Sequence, residues 1–340
     1  METLSHLATG FAVALTPTNL TVAAVGSAIG TTVGMLPGLG PINGVAILMP
    51  LAFALKLPPE TALILLAAVY LGCEFGGRIS SILLNVPGDA GAIMTAIDGN
   101  PMARQGLGGV ALSVSAWASF IGTVIAFIGI VLFAPLLARW ALAFGPAEYF
   151  ALMCFAFACL TGLMGEAPMK ALLAALVGLS LSTVGVDSNS GVYRFTFDSV
   201  HLSDGIQFIV VVIGLFSVSE ILLMLEHLTT KGGLIKQTGR ALFNLKEMAL
   251  TWWGTVRSGV LGFVVGVLPG AGATIASAMA YTMEKRLNDK DGTFGKGDIR
   301  GVTAPEAANN GSACGSFVPM LTLGVPGSGT TAVMVGALSL

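Results

Sequence analysis

Apolar residues run along this chain in long unbroken blocks. A helix crossing the hydrocarbon core needs about 20 apolar residues. Leu107–Phe133, Pro146–Leu163, Met169–Val186 and Ile206–Leu225 meet or nearly meet that length, and each is read as a transmembrane helix. Met1–Leu15 is apolar but lacks a basic start and a cleavage site, so it is read as a first membrane segment rather than a removed signal.

Two further apolar stretches are interrupted. Val22–Leu55 contains Gly34-Met35-Leu36-Pro37-Gly38-Leu39-Gly40, and Val256–Met283 contains Gly266-Val267-Leu268-Pro269-Gly270-Ala271-Gly272. Proline removes a helix donor and glycine loosens the backbone, so each stretch is expected to split into two half-helices. The stretches match at an offset of 232 residues, Gly30 to Gly262. A second match follows in the same order. Pro59-Glu60 pairs with Pro305-Glu306, then Gly72, Gly76, Leu84, Val86, Pro87 and Gly88 pair with Gly311, Gly315, Leu323, Val325, Pro326 and Gly327. Repeats carrying interrupted helices are the sequence mark of a secondary transporter's binding site. The expected fold is all-α and polytopic, with internal repeats of Pro-Gly-broken helices. An odd number of crossings between the copies makes the repeat inverted. Residues 1–106 form the first repeat, 107–226 four linking helices, 227–257 a cytoplasmic basic loop and 258–340 an incomplete second repeat.

Composition supports lipid as the solvent: 54% of residues are hydrophobic and 10% charged, with mean hydropathy +0.86. Soluble domains carry about 25% charged residues. The net charge of -2 says little, but ten of the 16 Lys and Arg lie in Lys231–Arg257 and Lys285–Arg300. Clustered bases beside apolar spans mark the cytoplasmic side, and with no basic fold around them nucleic acid is not an expected partner. Asp187–Asp204, with three Asp, reads as an extracytoplasmic loop. Cys73, Cys154, Cys159 and Cys314 form no C-x-x-C pair and read as buried free thiols. The histidines show no metal-ligand spacing.

A half-helix that starts at mid-membrane aims free N–H groups and a positive dipole end at its neighbours, an arrangement that binds carboxylates. The candidate site is therefore built from the breaks: Pro37, Gly38 and Gly40; Asn85, Pro87, Gly88 and Asp89; Pro269, Gly270 and Gly272; Pro326, Gly327, Ser328, Thr330 and Thr331. Asn309 and Asn310 offer amides for the substrate or carbonyl oxygens for a cation. Structurally, the same hydroxyls can satisfy helix carbonyls and the same glycines can permit tight packing. Glu74 and Arg78 lie four apart inside an apolar stretch, on one helical face. Two readings stand: a mutually neutralising pair, or Arg78 contacting an anionic substrate. Asp89 is the candidate for cation or proton coupling. Glu60 and Glu306 read as helix caps. Gly324–Thr331 lacks the lysine of a phosphate loop, and no hydrolase signature occurs, so an enzyme is not expected. A channel built on the same broken helices remains the alternative to a carrier.

Gly34–Pro50 (GMLPGLGPINGVAILMP), Gly72–Gly106 (GCEFGGRISSILLNVPGDAGAIMTAIDGNPMARQG) and Ala304–Ala337 (APEAANNGSACGSFVPMLTLGVPGSGTTAVMVGA) together resemble the large permease subunit of the tripartite tricarboxylate transporters, the TctA family. The resemblance implies a multi-pass carrier in the bacterial inner membrane. It also implies a small membrane subunit, a periplasmic solute-binding protein, and a citrate-like or other small carboxylate as substrate. No cofactor is implied; transport is coupled to an ion gradient, Na+ or H+. Two features depart from the family pattern. Glu74 and Arg78 stand where neutral residues are expected, and the second repeat ends at Leu340 just past its Pro-Gly motif, so a C-terminally truncated chain is expected.

Overall fold

The computed structural model describes the chain except residues 1, 37–38, 144, 146, 149, 152–153, 155–167, 187–191, 204, 207–221, 223–238, 271 and 339–340. The described residues are helical almost throughout. In the first repeat, α1 (Glu2–Ala14) and α2 (Pro17–Gly34) meet at a 70° bend. Proline at the first position of α2 and Thr16, whose hydroxyl accepts from Asn19 N–H, start the second helix cleanly. The expected break follows, and α3 (Gly40–Ala54) resumes from Gly40 in the left-handed region (φ 56°). Pro59 and Glu60 then begin α4 (Pro59–Leu84), which ends on left-handed Asn85. After the Pro-Gly turn come α5 (Ile93–Met102), a π-helical turn (Ala103–Leu107) and α6 (Gly108–Ala143).

The linking region is described only in part: α7 (Pro168–Ser182), two paired two-residue strands at Gly185–Val186 and Tyr193–Arg194, and α8 (Val200–Ser203). The expected spans Pro146–Leu163 and Ile206–Leu225 lie almost wholly outside the described residues. The second repeat comprises α9 (Leu245–Val267), α10 (Gly272–Asn288), α11 (Arg300–Gly315), α12 (Phe317–Leu323) and α13 (Gly329–Leu338). The basic loop expected over 227–257 is therefore already helix from Leu245. Asn244 and Glu247 form a reciprocal capping box there, with N–H···O distances of 2.9 and 2.7 Å. Glutamate three residues after asparagine was the missed start signal.

Two described helices, Pro59–Leu84 and the continuous run Ile93–Phe133, are long and apolar enough to cross a membrane, and the bent pair α1–α2 makes a third candidate. The outward face of the Ile93–Phe133 run carries Phe120, Phe127, Ile128, Leu132 and Phe133, all exposed. A helix apolar all round suits lipid.

The two copies share their internal contacts residue for residue. In the first, α2 crosses α4 with Gly30 against the Val69 carbonyl, Gly34 against that of Cys73, Gly72 against that of Ser27 and Gly76 against that of Thr31. In the second, α9 crosses α11 with Gly262 against Ala308, Gly266 against Ser312, Gly311 against Gly259 and Gly315 against Phe263, again at the carbonyls. Any side chain at these glycines would overlap backbone, so the spacing of small residues fixes the crossing. The second breaks match too. Asn85 and Gly324 are both left-handed (φ 57° and 67°), and the N–H groups of Val86 and Val325 reach back to the carbonyls of Ser80 and Pro319 at 3.4 and 3.3 Å. Gly88 then rests on Gly77 and the Gly34 carbonyl, and Gly327 on Ser316 and the Gly266 carbonyl.

One pairing from the sequence fails. The glycine register places Glu306 level with Ala67, not Glu60. Glu60 is exposed in the first turn of α4, as a cap should be, whereas Glu306 is fully buried inside α11. The shared Pro-Glu dipeptide is a local coincidence.

The largest apolar cluster joins the copies. Val45 and Met49 of α3, Val69 and Tyr70 of α4, Phe317 and Met320 of α12, and Val333 and Met334 of α13 pack together. On the other side, α6 lies against α11, with Gly122 touching the Ala307 carbonyl. Cys73 and Cys314 are free and buried as expected; Cys154 is free but exposed, and Cys159 lies outside the described residues.

Candidate functional site

The site grows out of the four breaks. Where a helix stops inside a packed membrane protein, its free backbone groups need partners from within the protein. In the second repeat, Gly270 N–H donates to the Gly327 carbonyl at 3.2 Å, which ties the two breaks of that copy together. In the first repeat a Cβ at Gly40 would lie 3.3 Å from Asp89 Cβ, so its two breaks also adjoin. Across the copies, Ser328 Oγ lies 3.4 Å from Tyr70 Oη, and Gly329 faces Ile42. The broken segments thus form one neighbourhood between the repeats. Pro269 is buried there, Pro87, Pro326 and Gly272 are half-buried, and Pro37 and Gly38 lie outside the described residues.

The hydroxyls of the last break serve the backbone first. Ser328 N–H donates to Thr331 Oγ1 at 2.8 Å, and Thr331 N–H donates to Ser328 Oγ at 3.2 Å. This reciprocal cap begins α13 and gives both side chains a structural task; Thr330 beside them is buried. Asn85, at the end of α4, lines a separate open cleft of about 470 Å³ with Asn100, Arg104 and Gln105.

Charge gathers one step deeper. Arg78 does not neutralise Glu74, as helical spacing suggested. Its Nη1 pairs with Glu306 Oε2 at 2.7 Å, reaches the Ser115 carbonyl at 2.9 Å and contacts Ser119 Oγ. Its guanidinium also lies 3.9 Å from the Phe75 ring centroid. Glu306 accepts further from Thr95 Oγ1 at 2.6 Å and Ser119 Oγ at 3.2 Å. Both ends of the ion pair are 1% exposed, which removes Arg78 from direct reach of a solute in this conformation. Asn310 closes the network by donating to Ser119 Oγ at 2.6 Å and to the Glu306 carbonyl at 3.1 Å.

Glu74 has other company. Asn309 Nδ2 donates to its Oε2 at 2.8 Å, and its carboxyl is in hydrogen-bond contact with that of Asp89. Asp89 Oδ1 accepts from Ala92 N–H at 3.0 Å, opening α5. The sequence thus identified Glu74, Arg78, Asp89, Asn309 and Asn310, which the fold brings together, but it missed Glu306, Thr95, Ser115 and Ser119. The signal for Glu306 was its place within an unbroken helical run; Ser115 and Ser119 show only as single polar positions four apart on α6.

A second polar knot joins the copies at their edge. Asp98 Oδ1 accepts from the N–H groups of Gly295, Gly297 and Asp298 at 2.8, 2.9 and 2.8 Å, and Tyr281 Oη donates to Oδ2 at 2.9 Å. Left-handed Gly295 and Gly297 (φ 84° and 103°) shape the loop around that carboxylate. Beside it, burial pushes the Asp298 carboxyl up. Hydrogen bonds from Arg300 and Thr293 outweigh burial and hold the group below the ordinary aspartate range.

Residues 20–340 match the model of the tripartite tricarboxylate transporter TctA family. An uncharacterized 52.8 kDa protein in the TAR-I ttuC' 3' region of Agrobacterium vitis is 40% identical over all 340 residues, which span 67% of that relative. An uncharacterized protein in the TAR-II ttuC' 3' region of the same organism is 48% identical over 79 residues, 23% of this chain and 33% of the relative. No solved structure matches. With the family model matched over nearly the whole sequence and repeats of broken helices beneath it, this membrane protein belongs to the tripartite tricarboxylate transporter TctA family.

Proposed function

We propose that the chain is the large permease subunit of a tripartite secondary transporter that moves a small carboxylate across the bacterial inner membrane. It works with a small membrane subunit and a periplasmic solute-binding protein, and an ion gradient drives it. The observation that carries this reading is the matched pair of repeats, each with two helix breaks that adjoin one another, the last break of the second copy lying against Tyr70 and Ile42 of the first. Duplicated broken helices supply backbone N–H groups for an anion, and two copies of opposite topology supply alternating access. A structural membrane protein has no need of four breaks gathered in one neighbourhood. Substrate selection is assigned to the glycine-lined breaks at Gly40, Gly88, Gly270, Gly272 and Gly327 and to the N–H groups beside them that have no partner among the described residues, because Arg78, the buried cation nearby, is already paired with Glu306.

The test is uptake into proteoliposomes that hold the permease with its small subunit and cognate binding protein. A panel of di- and tricarboxylates is offered under imposed sodium or proton gradients. Gradient-dependent accumulation of at least one carboxylate is expected, and Pro326→Ala is expected to reduce it at least tenfold while Cys154→Ala leaves it intact. Absence of gradient-dependent uptake for every carboxylate would refute the proposal.

A further inference from the structure

We infer that Glu74, Asp89 and Asn309 form a sodium site bridging the two repeats, with Gly91 keeping its space open. The inference deepens the carrier reading and rests on it for its purpose, since a cation held between the repeats is the coupling ion.

Three observations converge. First, the charges do not balance. Arg78 makes its ion pair with Glu306, and among the described residues neither Glu74 nor Asp89 has an ion pair of its own, Arg78 reaching Glu74 only at longer range. Two ionised carboxylates are acceptors only, so their contact requires a cation or a proton between them. Second, Asn309 is 1% exposed and its Oδ1 has no hydrogen-bond partner among the described residues. Its Nδ2 is fixed on Glu74 Oε2 at 2.8 Å, so the carbonyl end of the amide is aimed elsewhere. Third, that oxygen and Asp89 Oδ2 flank the same glycine. A Cβ on Gly91 would stand 2.7 Å from Asn309 Oδ1 and 3.3 Å from Asp89 Oδ2.

A proton alone satisfies the two acids and leaves the buried amide oxygen unpaired, a cost of about 1–3 kcal/mol. A sodium ion takes oxygen ligands from all three residues. Hard monovalent and divalent cations favour carboxylate and carbonyl oxygen in this way. Asp89 is half-buried while Glu74 and Asn309 are buried, so the ion enters on the Asp89 side. Glu74 sits on α4 and Asp89 on the break after it, both in the first repeat, whereas Asn309 sits on α11 in the second. Separating the repeats therefore dismantles the site, and ion binding favours the arrangement in which they meet.

Binding is read without any substrate, so its failure is separate from failure of transport. The purified protein in detergent is melted in NaCl, KCl or choline chloride at equal ionic strength and fixed pH. A ligand that binds only the folded state raises Tm as a saturable function of its concentration. A saturable rise with sodium is expected, well beyond that with potassium or choline. Glu74→Gln, Asn309→Ala and Gly91→Ala are each expected to raise the half-saturating sodium concentration at least tenfold, and Ser182→Ala to leave it unchanged. Gly91→Ala alters no charge, so it carries the test if Glu74→Gln does not fold. Equal melting of the native protein in sodium and choline would overturn the inference, as would native half-saturation in Gly91→Ala. Stabilisation by lowered pH with no addition from sodium would also overturn it, in favour of a proton shared by the acids.

Discussion

The ion pair between Arg78 and Glu306 ties the copies together, and a double-mutant cycle measures that tie. Both side chains are 1% exposed, and the 2.7 Å contact is supplemented on the carboxylate by Thr95 at 2.6 Å and Ser119 at 3.2 Å. Removing one partner leaves the other charged and buried. Breaking a buried pair costs about 3–5 kcal/mol, a large share of the 5–15 kcal/mol that holds a typical domain. Arg78→Met leaves Glu306 with two hydroxyl donors and no countercharge. Glu306→Gln leaves Arg78 facing a neutral amide, with Nε and Nη2 already lacking partners among the described residues. The double variant removes both charges and keeps an acceptor for Thr95. Each single change is therefore expected to destabilise by about 3–5 kcal/mol, and the double to fall short of their sum by about 2 kcal/mol or more. Unfolding in mixed micelles, followed by tryptophan fluorescence, reads all four corners. Additivity within about 0.5 kcal/mol would refute the reasoning.

Other consequences concern the packing and the edge knot. Gly262→Leu places a side chain into the Ala308 carbonyl and is expected to abolish folded protein in detergent chromatography, whereas Gly178→Leu, whose Cβ would meet nothing within 4 Å, is expected to be tolerated. Asp98→Ala strands three backbone N–H groups and the Tyr281 hydroxyl, and limited proteolysis is expected to cut the loop between α10 and α11 faster than in the native chain. Asp298, held below the ordinary aspartate range, stabilises the fold at neutral pH. Its contribution disappears as pH falls below about 4 and through its lowered folded value. Asp298→Asn is therefore expected to melt lower than the native protein at pH 7, with the gap closing in acid.

The sequence reading reached far where its signals were local or duplicated. The breaks expected from the two Pro-Gly motifs follow from backbone chemistry, and helices end at Gly34 and Val267 and resume at Gly40 and Gly272. The glycine matches that revealed the repeat prove to be the helix crossings, because a residue without Cβ marks where backbones meet. The same reading failed where partners are distant. Spacing on one helix offered Glu74 to Arg78, yet desolvation drives a buried guanidinium to whichever carboxylate the fold delivers, and that came from residue 306. Hydroxyls at Ser328 and Thr331 read as ligands because a cap and a binding group use the same chemistry; their reciprocal bonds show the cap. The start of α9 was hidden by basic residues that suggested a loop, although Asn244 and Glu247 carried the capping signature.

The central claim is that two matched, broken-helix repeats make a carrier. Counterflow tests it most directly. Proteoliposomes holding the reconstituted permease are loaded with an unlabelled carboxylate that the uptake panel has identified, and a trace of labelled substrate is placed outside. A carrier that alternates access exchanges one for the other, so transient, saturable accumulation of label above its outside concentration is expected. Label that only equilibrates, without overshoot and without saturation, would mark a pore and contradict the account.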